Sequence, residues 1–364
     1  MKIVFCGGGT GGHVTPALAM ADILRQKYKK VEFAFIGREG GAENKPIERE
    51  GYRLYRLNIR GLRRSLSPKN IGALFLALKA RKRASSILRE ERPDAVIGTG
   101  GYVSWPVLSA AERLEIPTAI HESNAYPGAV TRMMARKCNC VMLGYPEAKD
   151  ALPRGCQTVV TGNPVRGRVG RIPRAFARAQ LNIPEDRFVL LSFGGSLGAK
   201  RLNDALLSVV TLFKGDRGIL FIHASGRGEY SELRDRFEGM ENCRLLPYIE
   251  DMPLYLAAAD VAVTRCGAIT LAEICAAGVP SILVPSPNVT ADHQTKNAEA
   301  LANNGGAVVI AEADLTPEKL KCEIDRLRSK SALRGEMRQQ LRSRGGEKNA
   351  AAVLAAIEGL VRGK

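Results

Sequence analysis

Residues 4–18 read VFCGGGTGGHVTPAL, with five glycines among the six residues from Gly7 to Gly12 and a histidine, His13, directly after them. Glycine loses more freedom on folding than any other residue, so such a cluster signals tight turning or a close backbone approach to a ligand. The run KIVFC entering it is apolar and reads as a short strand. The segment leaving it, TPALAMADILRQ, has helical spacing, with Thr15 expected as N-cap and Pro16 in the first turn. A strand, a glycine loop and a helix together form an anion site, because unpaired N–H groups and the positive helix end converge there.

The same alternation runs through the chain. VEFAFIG, DAVIGTG, PTAIHE, NCVMLG and QTVVTG are strand-like in the first half, and FVLLSFGG, GILFIHASG, DVAVTRCG, PSILVP and GAVVIA in the second, with amphipathic stretches between them. The second half restarts with FVLLSFGGSLGAKRLNDAL, again strand, glycine loop and helix. The expected fold is α/β, two doubly wound Rossmann-like domains with parallel sheets. The junction falls at TGNPVRGRV, where Asn163-Pro164 interrupts regular structure. This gives an N-terminal domain over residues 1–163, a second over 164–341, and a last helix over 342–364 that packs back on the first domain.

The chain has 364 residues, 45% of them apolar, enough for two cores. No apolar run approaches the roughly 18 residues of a membrane span, and the first strand passes straight into the glycine loop, unlike a signal peptide. The eight cysteines are scattered. Cys138 and Cys140 stand close together without a second pair at metal-binding spacing, which points to a reduced, cytoplasmic protein. Net charge is +17, and residues 1–163 hold 26 Lys and Arg against 14 Asp and Glu. Nucleic acid, an anionic membrane surface or a phosphorylated substrate could each use that excess. With 5% aromatic residues and no recognition motif, nucleic acid is the poorest fit.

Gly7, Gly9 and Gly12 satisfy G-x-G-x-x-G, the dinucleotide fingerprint, but Arg38 and Glu39 stand where the ribose-binding acid is expected after the next strand. Two further clusters, GTGGYVSWP at residues 98–106 and GGSLGA at 194–199, end other strands. Ligands bind outside the carboxyl ends of parallel strands, so the three loops should open on one cleft between the domains. One diphosphate does not need three loops, whereas two phosphorylated ligands do. Residues 264–301, TRCGAITLAEICAAGVPSILVPSPNVTADHQTKNAEAL, hold the sharper motif. Gly267 and Ala268 open a helix whose N–H groups suit a diphosphate, and Glu273 in its first turns can accept both hydroxyls of a ribose diol. Asp292, His293, Gln294 and Asn297 follow as polar groups for sugar hydroxyls or as a cap for the next helix.

GGGTGGHVTPALA, GTGGYVSWP, HESNAYPG, TGNPVR, GGSLGA, PYIEDM and GAITLAE with DHQTKNA occur in an order that resembles the MurG family of GT-B glycosyltransferases over essentially the whole chain. Leu197 stands where that family commonly has a polar residue. The resemblance implies two Rossmann-like domains facing across a cleft. It implies transfer of N-acetylglucosamine from UDP-N-acetylglucosamine to an undecaprenyl-diphosphate-linked muramoyl-pentapeptide in peptidoglycan synthesis. It assigns Thr10, Gly11, Gly12 and Asn124 to the donor sugar, and Arg166 and Ser196 to the diphosphate side. The Ile249 main chain falls to uracil, Ala268, Ile269, Thr270, Leu271, Ala272 and Glu273 to diphosphate and ribose, and Gln294 to sugar hydroxyls. Gly98, Thr99, Gly100, Gly101 and Tyr102 fall to the acceptor. It also implies no cofactor or metal, in keeping with the absence of a D-x-D motif, a peripheral place on the cytoplasmic face of the inner membrane, and other cell-wall synthesis proteins as partners. The same fold serves UDP-N-acetylglucosamine 2-epimerases and other UDP-sugar transferases, and a non-catalytic UDP-sugar-binding regulator would share the donor half.

An α-linked donor and a β-1,4-linked product require inversion, hence a base for the acceptor hydroxyl. His13, at the end of the first glycine loop, is the first candidate and Glu122 of HESN the second. Residues 60–83 hold eight Lys and Arg and no acid. Within them Ser67 and Pro68 can start a helix with Ile71, Leu74, Phe75 and Leu78 on one face and Leu76 off it. With Lys79, Arg81, Lys82 and Arg83 this helix suits docking on an anionic leaflet; the alternative is a core helix with basic ends.

Overall fold

The computed structural model describes residues 1–9, 11–41, 44–61, 69–195 and 198–363, apart from the side chains of residues 69–71 and 290. Thr10, Ser67, Pro68, Ser196, Leu197 and the Ile71 side chain lie outside the described residues. The chain divides into two units, residues 1–167 with 347–364 and residues 168–346.

The first unit is built on β1 (Lys2–Cys6), β2 (Glu32–Arg38), β3 (Arg53–Leu57), β4 (Ala95–Gly98), β5 (Thr118–Glu122), β6 (Cys140–Leu143) and β7 (Thr158–Val160). They form one parallel sheet in the order β3-β2-β1-β4-β5-β6-β7. The helices are α1 (Gly11–Lys27), α2 (Lys45–Arg49), α3 (Lys69–Glu91), α4 (Ser104–Arg113) and α5 (Ala129–Met134). Alternation along β1 sorts the two faces. Ile3 and Phe5 join a cluster with Leu18, Met20 and Leu24 of α1, whereas Val4 and Cys6 join one with Ala84 and Ile87 of α3 and Val107 and Leu108 of α4. A sheet covered on both faces explains the unbroken apolar runs of its central strands.

The second unit begins with α6 (Arg174–Gln180) and continues through β8 (Phe188–Phe193), α7 (Lys200–Leu212), β9 (Ile219–Ala224), α8 (Tyr230–Arg236), β10 (Cys243–Leu246) and α9 (Met252–Ala258). Then follow β11 (Val261–Thr264), α10 (Ala268–Ala277), β12 (Ser281–Leu283), α11 (His293–Ala302), β13 (Ala307–Val309), α12 (Pro317–Ser329) and α13 (Ser331–Ser343). Its parallel sheet has the order β10-β9-β8-β11-β12-β13. The last helix, α14 (Glu347–Arg362), returns to the first unit and buries Val353, Ile357 and Leu360 in the cluster that holds Ile3 and Phe5.

One local expectation is corrected. Helix α1 starts at Gly11, so Thr15 is not its N-cap and Pro16 lies inside it. Pro16 withholds a hydrogen bond only from the carbonyl of Gly12, an exposed residue of the first turn where water can serve instead. His13 therefore stands on the first turn of the helix.

Candidate active site

In the first unit the chain runs out from β1 to β2 and β3 and returns to β4, making the boundary between β1 and β4 a topological switch point. Strands β1, β4 and β5 are neighbours, so the loops at their carboxyl ends lie side by side. The first two interlock. Thr99 N–H donates to Cys6 O at 2.8 Å, and Ser104 Oγ lies 3.0 Å from Cys6 O and 2.7 Å from Gly100 O. His13 Nδ1 lies 3.1 Å from Thr99 O. A carbonyl can only accept, so Nδ1 carries the proton and Nε2 the basic lone pair.

The glycines explain the close fit. A Cβ on Gly100 would stand 2.8 Å from His13 Nδ1, and one on Gly101 would overlap the Gly8 carbonyl; both have left-handed φ, +101° and +75°. The Tyr102 ring lies against Gly9 and Gly61, whose added Cβ atoms would come within 3.0 and 3.1 Å of it. Gly98 is a packing glycine below the loop, leaving room for Leu108. Gly12 is exposed at the start of α1, one residue after Gly11.

Glu122 is buried and saturated. Its Oε1 accepts from Asn124 N at 3.0 Å and Asn124 Nδ2 at 3.1 Å. Its Oε2 accepts from Gly128 N at 2.8 Å and Thr131 Oγ1 at 2.7 Å. Four donors on one carboxylate suit a group that holds Asn124 and the start of α5. His121 is wholly buried beside Gly162 O and Ser123 Oγ. Asn163 Nδ2 donates to Ser123 O at 2.9 Å, and Asn349 of α14 donates to Asn163 O at 3.2 Å. The HESN and TGNP segments thus support each other. Arg166 donates from Nε to Asp22 at 3.0 Å and from Nη2 to Glu50 at 2.7 Å. The structure commits it to two carboxylates of the first unit.

In the second unit, Gly267 caps α10 in an extended conformation, and Leu271 N–H returns to Gly267 O at 3.0 Å. The N–H groups left to a ligand are those of Ala268, Ile269 and Thr270. Leu271 and Ala272 contribute buried side chains beneath them. Glu273 is half-buried and makes no hydrogen bond or ion pair with any described residue; burial pushes its carboxyl up to about 7. Ile249 is 4% exposed, and neither its N–H nor its C=O has a partner among the described residues.

Gln294 departs from the simple reading. Its Oε1 accepts from Cys266 N at 3.1 Å and Ser286 N at 2.9 Å. Asn297, wholly buried, donates to Cys266 O at 3.2 Å. The first turns of α11 therefore clamp the peptide that precedes α10, and the NH2 group is what Gln294 has left to offer a ligand. Sequence reasoning missed this clamp, together with Ser104 and the Asn163–Asn349 support, because each acts on backbone brought close only by the fold.

Helix α3 combines both readings of the basic segment. Ala73, Ala80, Ala84, Ile87 and Leu88 are buried, whereas Leu74, Phe75 and Leu78 are 54%, 59% and 43% exposed. Leu76, expected off the apolar face, is half-buried, and Phe75 is the more exposed of the two. Lys79 Nζ lies 4.6 Å over the Phe75 ring. Lys82 and Arg83 are exposed and Arg81 is half-buried. Among the described residues no helix is long and apolar enough to cross a membrane, and no group of three or more His, Cys, Asp and Glu could hold a metal. Burial pushes the Cys138 and Cys140 thiols up to about 12 and about 11.

The two units match the glycosyltransferase family 28 N-terminal domain over residues 3–143 and its C-terminal domain over residues 189–354, which defines the class. The chain is 40% identical over 348 residues to the UDP-N-acetylglucosamine–N-acetylmuramyl-(pentapeptide) pyrophosphoryl-undecaprenol N-acetylglucosamine transferase of Caldicellulosiruptor saccharolyticus, covering 95% of this chain and 94% of that one. The Bacillus subtilis enzyme of the same name is 38% identical over 99% of both chains. The crystal structure of Acinetobacter baumannii MurG superposes with a TM-score of 0.78 at 30% identity, over 98% of this chain and 99% of that one. A putative UDP-N-acetylglucosamine 2-epimerase from Listeria monocytogenes, with TM-score 0.74 and 15% identity over 100% and 97% of the chains, shares the fold alone. The chain belongs to the MurG family of N-acetylglucosamine transferases.

The isolated Glu273 carboxyl makes a signed prediction. Its pKa is raised on folding, so it costs no stability below the unfolded value near 4.5 and its full cost above about 7. Glu273→Gln should melt with the wild type at pH 4 and be more stable at pH 8, by on the order of 1–3 kcal/mol. The same variant should bind UDP at least tenfold more weakly at pH 8, as calorimetry would read.

Proposed function

We propose that this chain transfers N-acetylglucosamine from UDP-N-acetylglucosamine to the C4 hydroxyl of the muramoyl sugar in undecaprenyl-diphospho-N-acetylmuramoyl-pentapeptide. The names of its relatives give this donor, this acceptor class and this transferred sugar for them, and the reaction is the conversion of lipid I to lipid II in peptidoglycan synthesis. The observation that carries the reading is the combination in α10 of three first-turn N–H groups with a carboxylate that no described residue satisfies. A nucleoside diphosphate supplies what that arrangement lacks: phosphate oxygens for the N–H groups and a ribose diol for Glu273. Uracil then pairs with the main chain of Ile249, and the Gln294 amide donates to a sugar hydroxyl.

The reaction is a single displacement. The acceptor O4 attacks the anomeric carbon as the bond from that carbon to the β-phosphate oxygen breaks, inverting the centre. UDP leaves with the electron pair, and the positive end of α10 stabilises its growing charge. The acceptor proton passes to Nε2 of His13, made basic by the Nδ1–H bond to Thr99. Glu122 acts as a positioning residue through Asn124. The glycine loop at residues 98–102 lies against His13, and in this reading it receives the acceptor.

The direct test supplies UDP-N-acetylglucosamine with a polyprenyl-diphosphate muramoyl-peptide and measures UDP and disaccharide product. His13→Ala should lower turnover about 10²- to 10⁴-fold with UDP affinity nearly unchanged. Isomerisation of the donor without acceptor, or normal turnover in His13→Ala, would overturn the respective assignment.

The lipid-borne acceptor and the water-soluble donor meet at the cytoplasmic face of the inner membrane, where we place the protein peripherally. The exposed Leu74, Phe75 and Leu78 with their basic neighbours form the docking face. Phe75→Glu with Leu78→Glu should leave the melting temperature within a few degrees, since neither side chain is buried. Sedimentation with anionic vesicles should fall about tenfold or more. Activity should drop on bilayer-embedded acceptor and not on a short-chain soluble one.

A further inference from the structure

Helix α10 presents the donor groups at one end and is gripped at the other. Its last turn, residues 275–277, is met by two segments remote in sequence. A Cβ on Gly170 would overlap the Ala276 carbonyl, and one on Gly345 would stand 2.7 Å from Ala276 N and 2.8 Å from the Cys275 carbonyl carbon. These are backbone atoms, which no rotamer change moves aside. Gly278 then ends the helix in the left-handed conformation, and its carbonyl accepts from Arg338 Nε at 3.1 Å. Both gripping glycines lie beside the points where the chain passes between units, since the second unit runs from Arg168 to Gly346. At the opposite end, Gln294 and Asn297 hold the Cys266 peptide just before the helix.

We propose that Gly170 and Gly345 are positioning residues of the donor site, acting through α10. The proposal rests on reading the second unit as the UDP-sugar site. Ten helical residues span about 15 Å, and the hydrogen-bonded ladder resists compression along its axis. A methyl group on Gly345 would approach Ala276 roughly 1 Å closer than ordinary van der Waals contact. The helix must shift to relieve it, and the N–H groups of residues 268–270 and the Glu273 carboxyl shift with it. Binding geometry of this kind tolerates only about 0.5 Å. The coupling is reciprocal: a diphosphate that fixes the first turn also steadies the last turn and the two crossings packed on it.

Gly345→Ala is the clean variant, because Gly345 does not have a left-handed φ. Gly346→Ala is its control, with φ of +75° and nothing within 4 Å of the added Cβ, so it introduces strain without touching α10. In the full chain, Gly345→Ala should weaken UDP binding and raise KM for the donor about tenfold or more, with kcat changed less than about threefold. Gly346→Ala should bind UDP within about twofold of wild type at comparable loss of melting temperature. Hydrogen exchange of the wild type should slow at residues 168–172 and 343–347 when UDP is added. Folded Gly345→Ala with wild-type affinity, or equal weakening in Gly346→Ala, overturns the proposal. If Gly345→Ala does not fold, the wild-type exchange decides: unchanged rates at both crossings overturn it, and slowed rates support it. Failure of the wild type to bind UDP at all would instead refute the donor reading, and the proposal with it.

Discussion

One hydrogen bond, from His13 Nδ1 to the Thr99 carbonyl, joins the two glycine loops that end β1 and β4. It requires β1 and β4 to be neighbours, the loop backbones to touch, and a helix to begin immediately after the first loop. Each condition is visible in the residues. Gly100 and Gly101 leave no room for a side chain beside His13 and Gly8, and Ser104 ties the end of β1 to the second loop. With Nδ1 committed to a carbonyl, the imidazole has one tautomer, and its basic nitrogen is set before any substrate arrives.

The second unit works on the opposite principle. There the fold leaves groups unsatisfied. Three N–H groups at the start of α10, the main chain of Ile249 and the carboxylate of Glu273 have no protein partner among the described residues. Burying a carboxylate without a partner costs stability, and a ligand that supplies the missing donors recovers that cost as affinity. Around these groups the backbone is held firmly, by Gln294 and Asn297 at one end of α10 and by Gly170, Gly345 and Arg338 at the other. Among the described residues the frame of α10 is held rigidly while these polar groups stay open.

Much of this was legible in the sequence because central strands of a parallel sheet are apolar on both faces. β1, β2, β4, β5 and β6 stand out as unbroken runs, as do β8, β9 and β11. The two strands that escaped notice, β3 with Arg53 and Arg56 and β10 with Arg244, are sheet edges where one side meets solvent. The glycine clusters announced the loops, but contacts between loops depend on strand order. The saturation of Glu122, the pairing of Arg166 with Asp22 and Glu50, and the backbone clamp by Gln294 are therefore products of the fold. Pro16 misled for a local reason, since an exposed first turn tolerates a proline that a helix interior would not. Periodicity likewise predicted an apolar face on α3 through Leu74, Phe75 and Leu78 without deciding whether that face packs in the core or stays exposed, as it does.

The central claim is that His13 is held as an Nδ1–H tautomer with Nε2 ready to accept a proton. Nitrogen-15 NMR of histidine-labelled protein measures this directly, and four histidines keep the spectrum assignable by substitution. Above the titration of the ring, the His13 signals should show a protonated Nδ1 and an unprotonated Nε2. A His13 ring protonated at Nε2 and bare at Nδ1 would contradict the account, because the bond to Thr99 and the base it prepares would both be absent.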